Sequence, residues 1–337
     1  MDADGPAAGT ATLEQALEKH RVELTGYCYR MLGSPFEAED AVQDTMVRAW
    51  RGYDKFEGRA SMRSWLYRIA TNVCLDMLGG KERKVRPMDL TSVGSTAAPS
   101  TVQHPETTWL APTPDHKVLV GDDPADVAIA RDSVRLAFVA ALHHLPARQR
   151  AVLILREVLC WQASEVAELL DTSVASVNSA LQRARATLAS VDVASTDLDE
   201  PSDEEQRALL AKYVAAFESY DLDALANLLS EDVVLQMPPW ELWLRGADEI
   251  ATWMLGIGVG CRGSRLVPVV AANGTPAFGQ YRPSGPNGEH EPWALQVIEI
   301  SDGRIVGMNA FLDTEKLFPL FGLPDRLEPV AEEAAAG

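Results

Sequence analysis

The sequence has few cysteines and no long apolar run. Its cysteines, Cys28, Cys74, Cys160 and Cys261, are far apart and form no C-x-x-C pair. This spacing supports neither a zinc site nor a disulfide framework, and no other metal or cofactor is indicated. No stretch approaches the ~20 apolar residues of a membrane span, and no secretory leader pattern opens the chain, so a cytoplasmic protein is predicted.

Basic side chains are also scarce, with 30 Lys and Arg against 49 Asp and Glu and a net charge of −19. This deficit argues against nucleic-acid binding, because affinity for phosphate comes chiefly from Lys and Arg. The acidic charge is concentrated, however: residues 191–337 carry 9 basic and 25 acidic side chains, which leaves −3 for all other residues. The stretch from Arg59 to Arg86 has seven basic and two acidic residues and is therefore suited to face DNA.

The hydrophobic pattern divides the chain into helical blocks, linkers and a final mixed domain. Apolar residues at three- and four-residue steps predict packed helices in the first two blocks, and clustered prolines predict a linker between them. Helices followed by strands predict an α+β domain near the end. The predicted order is two all-α domains at 12–80 and 126–190, linkers at 81–125 and 191–204, the α+β domain at 205–312 and a tail at 313–337.

Strand-like segments in the last domain are rich in β-branched and aromatic residues. Turn pairs such as Asn273-Gly274 and Asp302-Gly303 separate them and favour a mostly antiparallel sheet. The predicted strands are Val233–Met237, Arg265–Ala271, Pro276–Tyr281, Trp293–Ile300 and Arg304–Phe311.

The second helical block contains a helix-turn-helix spacing. Gln162–Leu170 and Val174–Ala189 fit two helices joined by a tight turn, with Ser173 as the N-cap of the second. On that second helix, Val174, Val177, Leu181, Ala184 and Leu188 share one face, which leaves polar residues on the opposite face to read DNA. An ordinary amphipathic surface helix has the same pattern.

The order of residues around these helices resembles region 4 of the sigma-70 superfamily, in the opening Leu145–Arg150 and the run Leu181–Arg185. The resemblance implies a domain that holds the −35 promoter element and the β flap of RNA polymerase. Asn178 and Ala180 stand where many members have Lys or Arg, so a shallower salt dependence is expected. The implied DNA contacts are Ser176, Asn178, Ser179, Gln182, Arg183 and Arg185.

The first helical block closely resembles region 2 of the same superfamily over Gly33–Thr45. In that family the corresponding helix docks on the β′ clamp helices of core RNA polymerase. Asp40, Gln43, Asp44 and Arg48 are the residues to which the resemblance assigns this contact, and a solvated charged face is the alternative.

Further along the same block, Ser61–Asn72 resembles the helix that opens the −10 element and captures a flipped base. The resemblance implies that Arg59, Ser61, Arg68 and Asn72 contact the single strand. Trp65 and Tyr67 have the chemistry to stack on bases, and a core position is favoured for Trp65.

The last domain resembles the SnoaL-like branch of the NTF2 fold in Tyr213–Glu218, Asp232–Pro239 and Leu244–Gly246. Extracytoplasmic-function (ECF) sigma factors of the actinobacterial sigma-G and sigma-J types carry such an extension. Asp232, Glu241, His290 and Glu299 are candidate acids or bases by residue type, but no spacing identifies a reaction, so no enzymatic activity is predicted. Trp240, Trp243, Trp253, Tyr281 and Trp293 are candidates to line a pocket for a small-molecule ligand or to form an aromatic core.

Two functional classes follow from these patterns. The first is an ECF sigma factor that binds core RNA polymerase and promoter DNA and is regulated in cis by its acidic domain, with the apolar tail Leu317–Pro324 as a docking element. The second is a SnoaL-type ligand-binding protein or enzyme fused to a helix-turn-helix regulator. The helix from Asp40 to Arg48 separates the two, because only a sigma factor needs a clamp-binding surface.

Overall fold

The computed structural model describes residues 7–58, 60–80, 82–97, 99–100, 102–120, 124–190, 203–286 and 288–329. The chain divides into two compact units. The N-terminal unit combines residues from 1–84 and 110–194, and the C-terminal unit combines residues from 85–109 and 195–337. The segment predicted as a linker is therefore shared between the two units.

Helices occupy the first part of the chain, and the strands begin at Leu229. The helices are α1 (Ala7–Glu18), α2 (Arg21–Leu32), α3 (Pro35–Gly52), α4 (Met62–Leu78), α5 (Pro87–Leu90), α6 (Pro124–Asp132), α7 (Leu136–His143), α8 (Ala147–Leu153), α9 (Ala163–Leu169), α10 (Val174–Ser190), α11 (Asp203–Ser219), α12 (Leu222–Leu228), α13 (Ala247–Leu255) and α14 (Thr314–Leu320). The strands are β1 (Leu229–Gln236), β2 (Trp243–Arg245), β3 (Arg265–Ala272), β4 (Thr275–Ser284), β5 (Glu289–Ser301) and β6 (Arg304–Phe311).

A sharp corner joins α2 to α3. Gly33 ends α2 with φ of 71°, a left-handed conformation that favours glycine, and an added Cβ there would collide with Leu110 and His143. Ser34 then caps α3 by accepting a hydrogen bond from the Glu37 amide at 3.4 Å, and Pro35 occupies the first helical turn. These residues fix the start of the helix that carries Asp40.

The two helical blocks of the N-terminal unit share one hydrophobic core. Tyr67 of α4 is fully buried, with its ring centroid 5.2 Å from Tyr27 of α2 and 5.0 Å from Trp161 in the second block. The Tyr27 hydroxyl lies 2.7 Å from Thr71 Oγ1, so its polar end is also satisfied. The blocks are thus packed together rather than separated by a free linker.

Arg150 of α8 is a buried cation in this core, only 3% exposed. Its Nε donates to the Leu142 carbonyl at 2.9 Å, and its Nη atoms donate to the carbonyls of Met31 and Leu145. Burial lowers the pKa of Arg150 to about 10, which leaves the guanidinium protonated at neutral pH. One side chain therefore satisfies carbonyls from both helical blocks.

The C-terminal unit contains one sheet in the order β2-β1-β6-β5-β4-β3, with β1 parallel to β6 and every other pair antiparallel. Asn273 and Asp302 begin two of its hairpin turns at positive φ, as the sequence pattern predicted. Helices α11, α12 and α13 contribute to the core on one face of this sheet. The α+β prediction is confirmed, and β2 is an additional three-residue strand.

The prediction that the apolar tail Leu317–Pro324 is a docking element is wrong. Leu317, Phe318 and Leu323 are buried, and the Phe318 ring packs 5.1 Å from Tyr281 of β4. Gly279 faces Leu323 while the preceding Phe278 lies in the helix-covered core, because neighbouring strand residues point to opposite faces. The tail therefore covers the second face of its own sheet.

Replacing Arg150 with methionine tests the buried cation. Arg150→Met keeps an aliphatic stem but leaves buried carbonyls without donors, so the N-terminal unit should lose about 3 kcal/mol of unfolding free energy. The exposed Arg148→Met on the same helix is the matched control and should change stability by less than ~0.5 kcal/mol. Urea unfolding monitored by circular dichroism measures both, and equal midpoints for the two variants would contradict the assignment.

Candidate polymerase and nucleic-acid surfaces

One face of α3 presents the residues predicted to bind a basic partner. Asp40, Gln43 and Arg48 are exposed and Asp44 is half-buried. Arg48 Nη2 lies 2.8 Å from Asp44, and its Nη1 reaches Asp76 of α4 at 3.4 Å. The hydrogen bond to Asp44 raises the pKa of Arg48, so Arg48 offsets the charge of Asp44 and leaves Asp40 as the open carboxylate of this face.

Two apolar side chains that the sequence reasoning missed continue this face. Val47 and Trp50 are 40% and 54% exposed, although both are large and hydrophobic. The spacing of Gln43, Val47 and Trp50 by four and three residues places them along one side of a helix. That spacing was visible in the sequence, but exposure of a tryptophan was not.

The residues predicted for the −10 element lie at the start and along the outside of α4. The Ser61 hydroxyl caps α4 by accepting from the Ser64 amide at 3.0 Å, and Arg68 and Asn72 are exposed one turn apart. Arg59 lies outside the described residues. The structure therefore places Arg68 and Asn72 side by side, and Ser61 serves as the N-cap of α4.

The two aromatic candidates of this segment do not share one environment. Trp65 is half-buried and stacks on Phe56 with 4.8 Å between ring centroids, which agrees with a core position. Tyr67 is fully buried, so its ring is not available to stack on a base in this conformation.

The helix-turn-helix consists of α9, a tight turn and α10. Asp171 adopts a φ of 51° in the turn, and the Ser173 hydroxyl accepts the Ser176 amide at 3.1 Å, which confirms the predicted N-cap. Val177, Leu181 and Ala184 are buried, and Leu188 is half-buried. Val174 differs from the prediction with 43% exposure, because it opens the helix beside the exposed turn.

The opposite face of α10 is open to solvent along its length. Arg185 is the one member with an ion pair in the described structure, to Glu157 at 2.7 Å. The six predicted −35 contacts, all exposed, are Ser176, Asn178, Ser179, Gln182, Arg183 and Arg185.

Residues 85–109 form a closed loop within the C-terminal unit. Val85 and Trp109, at the two ends, make a parallel β-bridge, and the Val85 amide donates to the Thr108 carbonyl at 2.9 Å. In the middle, the Gly94 amide donates to the Trp243 carbonyl at 2.8 Å. The loop is thus held by backbone hydrogen bonds at its ends and at its centre.

Glu241 makes both side-chain and backbone hydrogen bonds to this loop. Its carboxylate accepts from Ser100 Oγ at 2.6 Å and lies 3.1 Å from His104 Nε2, and these hydrogen bonds lower the pKa of Glu241. Its backbone amide donates to the Val102 carbonyl, and its carbonyl accepts from Thr91. Glu241, one of the candidate acid or base residues, is therefore engaged in binding the loop.

A small cavity lies between the sheet and α13 in the C-terminal unit. Its polar lining includes the amides of Gln280, Gln296 and Asn309, and its aromatic lining includes Trp253 and Trp293. None of the four candidate acids or bases lines it: Asp232 is exposed, His290 contacts the backbone of Gly263, and Glu299 accepts from Asn309 on the sheet. Trp240, Trp243 and Tyr281 also lie outside its lining.

Comparisons with known proteins decide between the two functional classes. Residues 16–84 match the family Sigma-70 region 2, residues 135–188 match Sigma-70, region 4, and residues 210–308 match the SnoaL-like domain. The chain is 46% identical to the ECF RNA polymerase sigma factor SigG of Mycobacterium tuberculosis, over 92% of this chain and 83% of SigG. The chain belongs to the ECF RNA polymerase sigma factors.

A second relative matches along most of its length. The chain is 27% identical to the ECF RNA polymerase sigma factor SigJ of Mycobacterium tuberculosis, over 87% of this chain and 88% of SigJ. The crystal structure of that SigJ superposes with a TM-score of 0.57 at 22% identity, covering 93% of this chain and all of SigJ, and so shares the fold. The predicted family and fold class are confirmed, and the free-standing regulator is not favoured.

In this sigma factor, one predicted DNA-binding residue of region 2 contacts region 4. Arg68 of region 2 donates through Nη2 to the Glu168 carbonyl in α9 of region 4. Nearby, the guanidinium of Arg63 lies over the ring of Trp161 from region 4 at 5.4 Å, and its Nε donates to Glu23 at 2.8 Å. The surface predicted to read the −10 element is therefore partly covered by region 4.

Proposed function

We propose that this sigma factor works in the cytoplasm, where it binds core RNA polymerase and directs it to promoters. The acidic face of α3 would contact the β′ clamp helices, and region 4 would contact the β flap and the −35 element through α10. Arg59, Ser61, Arg68 and Asn72 would contact the −10 strand. Exposure of the α3 and α10 faces supports these assignments. No helix in the described ranges is long and apolar enough to cross a bilayer.

Promoter binding requires the N-terminal unit to open. The −10 and −35 positions are about 25 base pairs apart, which corresponds to ~85 Å of B-form DNA. Regions 2 and 4 share a core in this structure, and α4 packs against α8 and α9. A closed unit cannot place its two regions on both elements at once.

The closed loop limits how far the two regions can separate. Residues 110–123, which lead from the loop to α6, reach at most about 50 Å when fully extended, whereas residues 85–109 would add about 85 Å. While Val85 stays bridged to Trp109, the loop contributes almost none of that length. This bridge is the observation that carries the proposal: the SnoaL-like domain regulates the sigma factor in cis by holding the linker in its closed form.

We further propose that the SnoaL-like domain binds a small molecule without converting it. Its cavity is lined by neutral amides, indoles and apolar groups, with the thiol of Cys261 as the titratable group among the described lining residues. General acid and base catalysis needs a titratable group within hydrogen-bond reach of the reacting atoms. A binding role therefore fits this lining better than catalysis.

The clamp-binding surface is tested by single alanine substitutions on α3. Asp40→Ala should weaken binding to core RNA polymerase about tenfold, because it removes the open carboxylate of the acidic face that would contact a basic partner surface. Asp44→Ala should weaken binding less, because Arg48 already offsets the charge of Asp44. Asp54→Ala, which removes an exposed carboxylate beyond the end of α3, is the matched control and should bind as the native chain does. Fluorescence anisotropy of labelled sigma factor measures the dissociation constants, and equal affinities for all three variants would refute the assignment.

The regulatory proposal is tested by loosening the loop without touching regions 2 and 4. Glu241→Ala removes the acceptor for Ser100 and His104, and Gly94→Val places a side chain against Leu242 and the Trp243 carbonyl. Each variant should bind core polymerase several-fold more tightly in the same assay, because less of the loop must be released on binding. Asp248→Ala, an exposed acid in the same unit, should have no effect. Weaker or unchanged binding of both loop variants would contradict cis regulation.

A further inference from the structure

Two buried donors without acceptors lie beside the cavity of the SnoaL-like domain. Trp253 is 8% exposed and lines the cavity, and its indole Nε1 has no hydrogen-bond partner among the described residues. The Nε of Arg282 is likewise buried without a partner in the described structure. Unsatisfied buried donors are uncommon in native proteins and call for an explanation, of which an absent acceptor is the simplest.

Arg282 brings a positive charge next to two residues that line this cavity. Its guanidinium carbon stands 3.2 Å from the centroid of the Trp293 ring, and its Nη2 donates to Cys261 Sγ at 3.1 Å. Cys261 and Trp293 both line the cavity. Within the described ranges, Arg282 has no carboxylate at ion-pair distance, although its domain is strongly acidic.

The side-chain amides of Gln280 and Gln296 in the cavity already have hydrogen-bond partners within the protein. Tyr213 donates to the Gln296 amide oxygen at 2.6 Å, and Gln296 donates to Gln280 at 2.8 Å. Gln280 in turn donates to Ser264 at 3.1 Å. Among the described side chains that line the cavity, the polar group without a partner is a donor, Trp253 Nε1, and an anionic acceptor matches both it and Arg282. The unpaired acceptor Gln236 Oε1 does not line the cavity.

The other side chains of the lining suit the apolar part of a ligand. Phe217, Leu235, Ile250, Met254 and Met308 line the cavity. Residues 255–261 follow the lining residues Trp253 and Met254 in the chain, and they expose Leu255, Ile257 and Val259 by 64%, 53% and 51%. Exposed apolar side chains at the border of a cavity are typical of a ligand entrance rather than of an inert surface.

The cavity is narrow. Its free space accommodates about two water molecules, so a larger ligand requires side chains of the lining to move. Gly258 lies flat against the Trp253 ring, where an added Cβ would approach within 2.4 Å. Movement of residues 255–261 would therefore uncover Trp253 and its free N–H group together.

We propose that the SnoaL-like domain binds a monocarboxylate amphiphile, with the carboxylate held by Arg282 and the Trp253 indole N–H and the apolar chain among the cavity's apolar side chains. This assignment rests on the proposed ligand-binding role of the domain and names its ligand class.

Calorimetric titration of the full-length chain with decanoate and with decanol, both below their aggregation concentrations, tests the proposal. Decanoate should bind at one site per chain, and decanol should bind at least about tenfold more weakly, because a neutral hydroxyl replaces the charged acceptor. Absence of decanoate binding, or equal affinity for the two compounds, would overturn the proposal without any variant.

Two arginine variants locate the carboxylate. Arg282→Gln should lower decanoate affinity about tenfold and leave decanol affinity unchanged. Arg245→Gln is the matched control, since Arg245 also stands over an indole, that of Trp243, but away from the cavity; it should change neither affinity. Circular dichroism verifies that both variants fold, and decanoate affinity that is insensitive to a folded Arg282→Gln variant would refute the site. Binding to core polymerase is a separate assay, so this outcome leaves the clamp and loop assignments to their own tests.

Discussion

The bridge between Val85 and Trp109 is the constraint on which the proposed cis regulation depends. It joins the two ends of a segment that would otherwise be long enough to let regions 2 and 4 part. Glu241 reinforces it with side-chain and backbone hydrogen bonds along the same segment. Because these bonds lie within the C-terminal unit, the proposed cis regulation would give the SnoaL-like domain control over the distance between regions 2 and 4.

Contacts within the N-terminal unit also hold regions 2 and 4 together. Arg150 satisfies carbonyls from both helical blocks, and Arg68 bonds to region 4 with a group that the family resemblance assigns to the −10 strand. In the proposed function, opening would exchange these contacts for contacts with polymerase and DNA, and such an equilibrium shifts only as far as the partner prefers the open form. A ligand of the SnoaL-like domain that altered its hold on residues 85–109 would bias the same equilibrium.

Local patterns in the sequence were sufficient for the elements and for several site residues. The apolar repeat of Val177, Leu181 and Ala184 predicted the buried face of α10, and Ser173 predicted its cap, because both depend on neighbours within a turn or two. Family motifs then identified the exposed face of α3. Strand β2 was missed because three residues are too short to show a period of two.

What the sequence did not predict depends on contacts between distant residues. The prolines of residues 85–109 correctly oppose long regular elements, but they do not reveal that Thr91, Ser100 and His104 meet Glu241 more than a hundred positions later. The apolar tail was likewise predicted to be free for docking, since nothing in the local sequence indicates that Leu323 packs against Gly279. Exposure of Trp50 and the unpaired N–H of Trp253 also depend on tertiary packing.

The most direct test of linker release is the distance between a label in the loop of residues 85–109 and a label in the SnoaL-like domain. Spin labels at Val102→Cys and Val270→Cys, two exposed positions of the C-terminal unit, in a background where the exposed Cys160 is serine, allow pulsed electron paramagnetic resonance on the full chain. The free sigma factor should give one narrow distance, and saturating core RNA polymerase should replace it with a broad distribution. A distance that stays narrow and unchanged in the polymerase complex would contradict release of the linker.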